Sequence, residues 1–204
     1  MMDGVTVGSV EQLSGGKRRV CLDNGEMWIL YRGEVRSYSL DEGAVLTGQQ
    51  YDQIRQDVIG KRAKRRAMHL LEKMDRTEQA LRNKLLEGEY PEDLVEDAIA
   101  YVKRFHYVDD ARYADCYVRS RGASKSRGKL LAELQQKGVD RELADQILAQ
   151  YEQERDEPQM IRELLEKRHY DPETASLQEQ RRMYGYLMRR GFQSTDIYKA
   201  IGRS

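Results

Sequence analysis

Two cysteines, three histidines, three prolines and no net charge leave several common designs out of reach of this 204-residue chain. Cys21 and Cys116 are too few and too far apart for a disulfide framework or a four-ligand zinc site, so they read as reduced thiols. His69, His106 and His169 stand singly, without a second His at helical spacing or a Cys-x-x-Cys motif. No metal site is expected from them. No stretch approaches the roughly 18 consecutive apolar residues of a spanning helix, and MMDGVTVGSVEQL lacks the basic start and apolar run of a signal peptide. The chain reads as soluble and cytoplasmic. Its 35 basic and 35 acidic residues cancel, so any affinity for nucleic acid must come from local asymmetry.

Catalytic groups are missing as well. Ser14-Gly15-Gly16-Lys17 lacks the first Gly of a phosphate loop and the Ser or Thr after its Lys, so it reads as a turn. Asp109 and Asp110 lie at an expected helix start, where carboxylates cap free N–H groups. Cys116 has no His nearby to activate it. An enzyme is not expected, and neither is a cofactor.

What is present begins with a short β-rich segment. Alternation at Val5-Thr6-Val7, Arg19–Leu22 and Met27–Leu30 predicts strands, and Asn24-Gly25 suggests a two-residue type I′ hairpin turn. Arg36–Leu40 adds a candidate strand. So few strands bury little alone, so the sheet is expected to lean on the helix that follows. Thr47 is a candidate N-cap for a long helix from about Gln49 to Met74. That helix contains Lys61-Arg62-Ala63-Lys64-Arg65-Arg66, which reads either as a solvated face or as a contact for a partner or phosphate.

A repeat occupies the rest. Leu81, Leu85, Tyr90, Leu94, Ala98 and Ile99 recur 49 residues later as Leu130, Leu134, Val139, Leu143, Ile147 and Leu148. Met183, Leu187, Phe192, Ala200 and Ile201 repeat most of the pattern. Gly138 and Gly191 stand where a helix C-cap needs a left-handed residue, and Glu89 takes that place in the first copy. A further helix precedes each pair, over 62–74, 109–121 and 158–168. With 34% charged residues, a row of small cores fits better than one large one. The expected organisation is a β-rich extension over 1–48 and three-helix repeats over 49–107, 108–155 and 156–204.

Cations gather where packing does not compete for them. Arg112 and Arg119, seven residues apart, share an outer face of the helix over 109–121. Arg121, Lys125 and Arg127 fill the following turn, and Lys129 and Lys137 line the exposed side of the next helix. These seven residues are the candidate partner- or DNA-binding set, because Arg offers forked hydrogen bonds to phosphates and carboxylates.

This stretch resembles the RecX family, regulatory proteins that modulate the recombinase RecA. The resemblance lies in Val108-Asp109-Asp110-Ala111-Arg112-Tyr113-Ala114, Tyr117-Val118-Arg119-Ser120-Arg121 and Glu133-Leu134-Gln135-Gln136-Lys137-Gly138-Val139. It extends to Arg76-Thr77-Glu78-Gln79-Ala80-Leu81 and Leu187-Met188-Arg189-Arg190-Gly191-Phe192, and so covers residues 60–204. The order, spacing and threefold recurrence of these motifs make it specific. The resemblance implies a mainly α fold of tandem three-helix repeats, forming an elongated, curved molecule with a small N-terminal β-rich extension. It implies binding along the groove of the RecA–DNA filament, with inhibition of ATPase and strand exchange, and DNA, single- or double-stranded, as a further partner. A monomer that does not touch membranes is expected. The acidic tract Glu152-Gln153-Glu154-Arg155-Asp156-Glu157 departs from a continuous basic stripe. The second reading is a helical-repeat protein that binds DNA without RecA. A third is a helix-turn-helix transcription factor, against which the even repeat spacing counts, because one recognition helix would stand out.

Overall fold

The computed structural model describes residues 4–152 and 156–202. The chain divides into two compact units, Met1–Asp109 and Asp110–Ser204.

In the first unit, β1 (Val5–Gln12), β2 (Lys17–Leu22), β3 (Met27–Tyr31) and β4 (Val45–Leu46) form an antiparallel sheet in the order β3-β2-β1-β4. Val20 pairs with Trp28 across the hairpin, so alternation brings Val20, Leu22, Trp28 and Leu30 to one buried face. The indole N–H of Trp28 donates to Glu26 Oε2 at 2.9 Å, which satisfies its polar edge.

Two expectations need correction here. The hairpin turn has three residues, Asp23, Asn24 and Gly25, instead of the type I′ pair. Of these only Gly25 has a positive φ, 86°, and its N–H donates to the Leu22 carbonyl at 3.1 Å. The Asn24 side chain instead accepts from the Glu26 N–H at 3.0 Å, so a type I turn with a glycine bulge wins over the mirror-image turn. Arg36–Leu40 is not a strand. The Glu34 carboxylate accepts the Tyr31 N–H at 2.7 Å and starts a short helix, α1 (Arg32–Ser37). A turn at Ser39, φ 52°, then delivers Leu40 into the core, so the apparent alternation came from a helix end.

Thr47 caps the next helix as expected, accepting the Gln50 N–H at 3.2 Å while Gln50 Oε1 accepts the Thr47 N–H at 3.0 Å. The helical run passes through α2 (Gly48–Gln53), a π-helical stretch (Ile54–Gly60) and α3 (Lys61–Lys73). The π turn rotates the buried face along the run. Ile54 and Ile59 lie in the core under the sheet, whereas Ala63, Ala67 and Leu70 lie in the next core with Leu81 and Leu85 of α4 (Glu78–Leu86) and Val95, Ala98 and Ile99 of α5 (Glu92–Arg104).

The strands contribute more to the first repeat than their number suggests. Leu94 of α5 is buried in the same core as Val7, Trp28 and Leu46. Polar ties reinforce this: Arg19 pairs with Glu89 at 2.9 Å, Arg55 bridges Glu26 at 3.1 Å and Asp93 at 2.8 Å, and Arg62 pairs with Glu34.

The second unit holds two more triplets. The first, α6 (Asp110–Arg121), α7 (Arg127–Gln136) and α8 (Arg141–Glu152), closes on Ala114, Val118, Leu130, Leu134, Val139, Ala144 and Leu148. The other, α9 (Glu157–Glu166), α10 (Leu177–Arg189) and α11 (Ser194–Ala200), closes on Ile161, Leu165, Leu187, Phe192, Ile197 and Ile201. Equivalent left-handed residues end the middle helix of each triplet: Glu89 (φ 57°), Gly138 (φ 87°) and Gly191 (φ 85°). At Gly138 the motif closes through the Val139 N–H, which donates to the Leu134 carbonyl at 3.0 Å. Each middle helix also starts on an equivalent hydroxyl. Thr77, Ser126 and Ser176 accept the N–H three residues on, at 3.1, 3.4 and 3.3 Å. The architecture is mainly α, with three helical triplets and a small N-terminal sheet.

Candidate partner-binding site

The candidate cations lie on α6, on α7 and its C-cap, and, for Lys125, just after the 3-10 turn Gly122–Ser124 that joins the two helices. Helical periodicity turns Ala114 and Val118 inward and leaves Arg112, Arg119 and Arg121 exposed. Along α7, Leu130 and Leu134 are buried, and Lys129 and Lys137 are exposed.

Tyr117 stands at the centre of this surface. Its ring lies 5.1 Å from Lys137 Nζ, 5.7 Å from the Arg121 guanidinium carbon and 6.0 Å from Lys125 Nζ. The Tyr113 ring stacks on it at 6.4 Å, with only 14° between the planes. The four-residue spacing on α6 that produces this stack is visible in the sequence, yet Tyr117 was not among the candidate residues. The Tyr117 hydroxyl donates to Glu133 Oε2 at 2.9 Å, and Lys125 Nζ donates to Glu133 Oε1 at 2.7 Å. Glu133 is therefore half-buried and engaged.

These bonds set the local electrostatics. Burial pushes the Glu133 carboxyl up, but hydrogen bonds from Lys125 and Tyr117 outweigh it, and its pKa falls below the usual carboxylate range. The Tyr117 phenol moves up, first through burial and then through its bond to the Glu133 carboxylate. At neutral pH the site is a cationic collar around a neutral aromatic ring, with one half-buried carboxylate anchoring it.

The seven candidates are not equivalent. Arg127 joins α7 to α8, reaching Asp145 at 2.7 Å and Glu152 at 2.5 Å, and its backbone N–H donates to Glu157 at 3.2 Å. Its guanidinium pKa is raised, chiefly by the hydrogen bond to Asp145. Arg119 pairs with Asp115 one turn earlier on α6, at 2.9 Å. The acidic tract has a structural use: Glu152 and Glu157 hold Arg127, and Asp156 caps α9 by accepting the Gln159 N–H at 3.0 Å. Its middle residues, 153–155, lie outside the described residues.

The five-cation tract on α3 is split by its own helix. Arg62 turns back to Glu34 and the Ile29 carbonyl, while Lys64 lies 5.8 Å from the Tyr101 ring. Among the described residues no group of three or more His, Cys, Asp or Glu side chains is placed to hold a metal ion. No helix among them is long and apolar enough to cross a membrane.

Three family models match along the chain: the first three-helix domain of RecX at residues 63–101, the second at 109–148 and the third at 155–201. The chain belongs to the RecX family of regulatory proteins. The regulatory protein RecX of Cronobacter sakazakii is 36% identical over 152 residues, covering 68% of this chain and 89% of that one. That of Amycolatopsis mediterranei is 36% identical over 148 residues, covering 69% and 82%. Among solved structures, the crystal structure of a regulatory protein RecX aligns with a TM-score of 0.61 at 24% identity, covering 97% of this chain and 98% of the other. RecX from Lactobacillus salivarius aligns with a TM-score of 0.59 at 23% identity, covering 70% and 94%. The two structures share the fold of this RecX-family chain, and its helical triplets are the RecX three-helix domains.

Proposed function

We propose that this chain is a non-enzymatic cytoplasmic regulator that binds the RecA–DNA filament, lodges in its groove and inhibits ATP turnover and strand exchange. Family membership supports the regulatory role. The observation that carries the binding reading is the collar of Arg121, Lys125 and Lys137 around Tyr117 on the outer side of the second triplet. A filament presents phosphates and acidic side chains at regular intervals, and modules in series can meet several intervals at once. The modules are the extension, 1–48, and the triplets over 49–107, 108–155 and 156–204. A monomer bridging successive protomers would oppose the relative motion that ATP turnover requires.

The direct experiment is titration of the purified chain into a RecA–single-stranded-DNA ATPase assay. Inhibition that saturates supports the reading, and unchanged turnover over the whole titration refutes it. A second reading, DNA binding without RecA, is favoured by the Tyr113–Tyr117 stack beside cations, because bases stack on such rings. Tight binding to free DNA without ATPase inhibition would select it.

A further inference from the structure

We infer that the third triplet carries a binding site for a chain of phosphates, in the cleft between α10 and the segment that follows α9. This goes beyond the filament reading and can be measured without RecA. The cleft has a volume of about 590 Å3 and a predominantly polar lining, the size of a small-ligand site. Arg168, Arg181, Arg182 and Arg189 all line it, and all four are exposed.

Their pairing differs from that of the second triplet. There, Arg119, Lys125 and Arg127 each meet a carboxylate. Here, among the described residues, no ion pair joins any of the four arginines to an acid. Two carboxylates do line the cleft, and both are engaged locally. Asp171 accepts the Glu173 N–H at 3.0 Å and the Thr174 hydroxyl at 2.9 Å, and Glu179 accepts the Ser176 N–H at 2.9 Å and its hydroxyl at 2.6 Å. Both stay charged, and Glu179 feels the field of Arg182, but four arginines against two carboxylates leave the cleft an excess of positive charge.

Two further features fit a phosphate ligand. Arg168 lies over the Tyr186 ring with its guanidinium carbon 3.9 Å from the centroid. Stacking orders the guanidinium plane but leaves its edge N–H groups able to grip an anion in a fork. Arg190 lies over the same ring at 4.6 Å and donates to the Ser124 carbonyl at 3.3 Å, which holds that end of the platform in place. The second feature is Gly185, inside α10 and lining the cleft. Glycine is unfavourable in a helix interior, and the φ of Gly185 is not positive, so no turn requires it. It leaves room: an Arg189 guanidinium nitrogen sits 3.4 Å from where a Cβ would stand.

The phosphates could belong to a nucleoside polyphosphate or to a nucleic-acid backbone, and two titrations of the full chain separate the sources. Sodium triphosphate is followed by calorimetry, and a fluorescein-labelled oligothymidylate by anisotropy over a range of salt. Binding is expected in at least one titration, with triphosphate alone marking the small-ligand source and oligothymidylate alone the backbone source. R181Q/R182Q/R189Q, altered only at exposed positions, should bind the active probe at least about tenfold more weakly. For the oligonucleotide, the slope of log K against log salt should also fall by about 2. Gly185→Leu should raise helix propensity yet weaken binding by filling the cleft, so lost affinity with undiminished thermal stability supports the site. Failure of both probes to bind, or unchanged affinity in both variants, overturns it. RecA ATPase inhibition enters neither readout, so failure here and failure of the filament reading remain distinguishable.

Discussion

Arg127 at the start of α7 and Asp145 on α8 lie 2.7 Å apart, so one of the candidate binding cations is tied to acid from the next helix. Glu152 completes the clamp. Both carboxylates and the guanidinium are more than a third exposed, so water screens the pair and limits its worth. Arg127→Ala should cost about 1 kcal/mol in urea unfolding, and Asp145→Asn a similar amount. The double variant should cost less than the sum of the two, because each single change already breaks the same contact. Strict additivity would mean that the Arg127–Asp145 pair contributes nothing.

Glu133 supplies a pH dependence. Its pKa is lower in the folded chain because Lys125 and Tyr117 bind the ionised carboxylate, so the unfolded chain holds more protons as the pH drops. Its contribution to stability is complete above the ordinary carboxylate range and is lost as the pH falls through the folded value. Glu133→Gln should lower stability at neutral pH and flatten the acid limb of a stability–pH curve. Parallel curves for wild type and variant, displaced but equal in slope, would remove the ionised carboxylate from the account.

Much of this fold could be read from the sequence because local chemistry and tertiary packing agreed. Glu89, Gly138 and Gly191 mark the triplet turns, and each falls at the left-handed position its place in the repeat requires. Disagreements arose where a side chain competed with the backbone pattern. Glu34 converts an alternating stretch into a helix start, and Asn24 takes up the Glu26 N–H and lengthens a hairpin turn. The candidate site was only partly legible. Helical periodicity placed Arg112, Arg119 and Arg121 outside, but pairings such as Arg127 with Asp145 link residues 18 apart, and the spacing of charges does not reveal them. The hydroxyl caps Thr77, Ser126 and Ser176 recur with the repeat and could have been found by aligning its polar positions.

The N-terminal extension should be costly to remove. Leu94 and Ile59 share a core with Trp28, Val7 and Leu46, so deleting residues 1–46 uncovers apolar surface on α5 and the π-helical stretch and strands Arg55 and Arg62 without Glu26 and Glu34. The first unit should unfold at a distinctly lower temperature, while the second unit keeps its transition. Calorimetry with two resolved transitions checks this. An unshifted first transition would make the sheet an appendage, independent of the repeat.

The cations of the second triplet can now be divided by what holds them. Lys125 and Arg127 support the fold through Glu133, Asp145 and Glu152, so substituting them mixes stability with binding. Arg112, Arg119, Arg121, Lys129 and Lys137 are exposed, where water screens the pairs that such side chains make. Replacing these five with Ala should leave helix content and unfolding nearly unchanged while RecA ATPase inhibition weakens. If the patch meets phosphates, each lost contact should lower the slope of log K against log salt by about 0.7 to 0.9 in DNA binding. If it meets acidic side chains of RecA, affinity for free DNA should hold while inhibition falls. Either result keeps the collar around Tyr117 as a binding surface and assigns its partner. Full inhibition by the five-residue variant, with an unchanged salt dependence, would reduce these cations to a solvated face and move the search for the contact to another triplet.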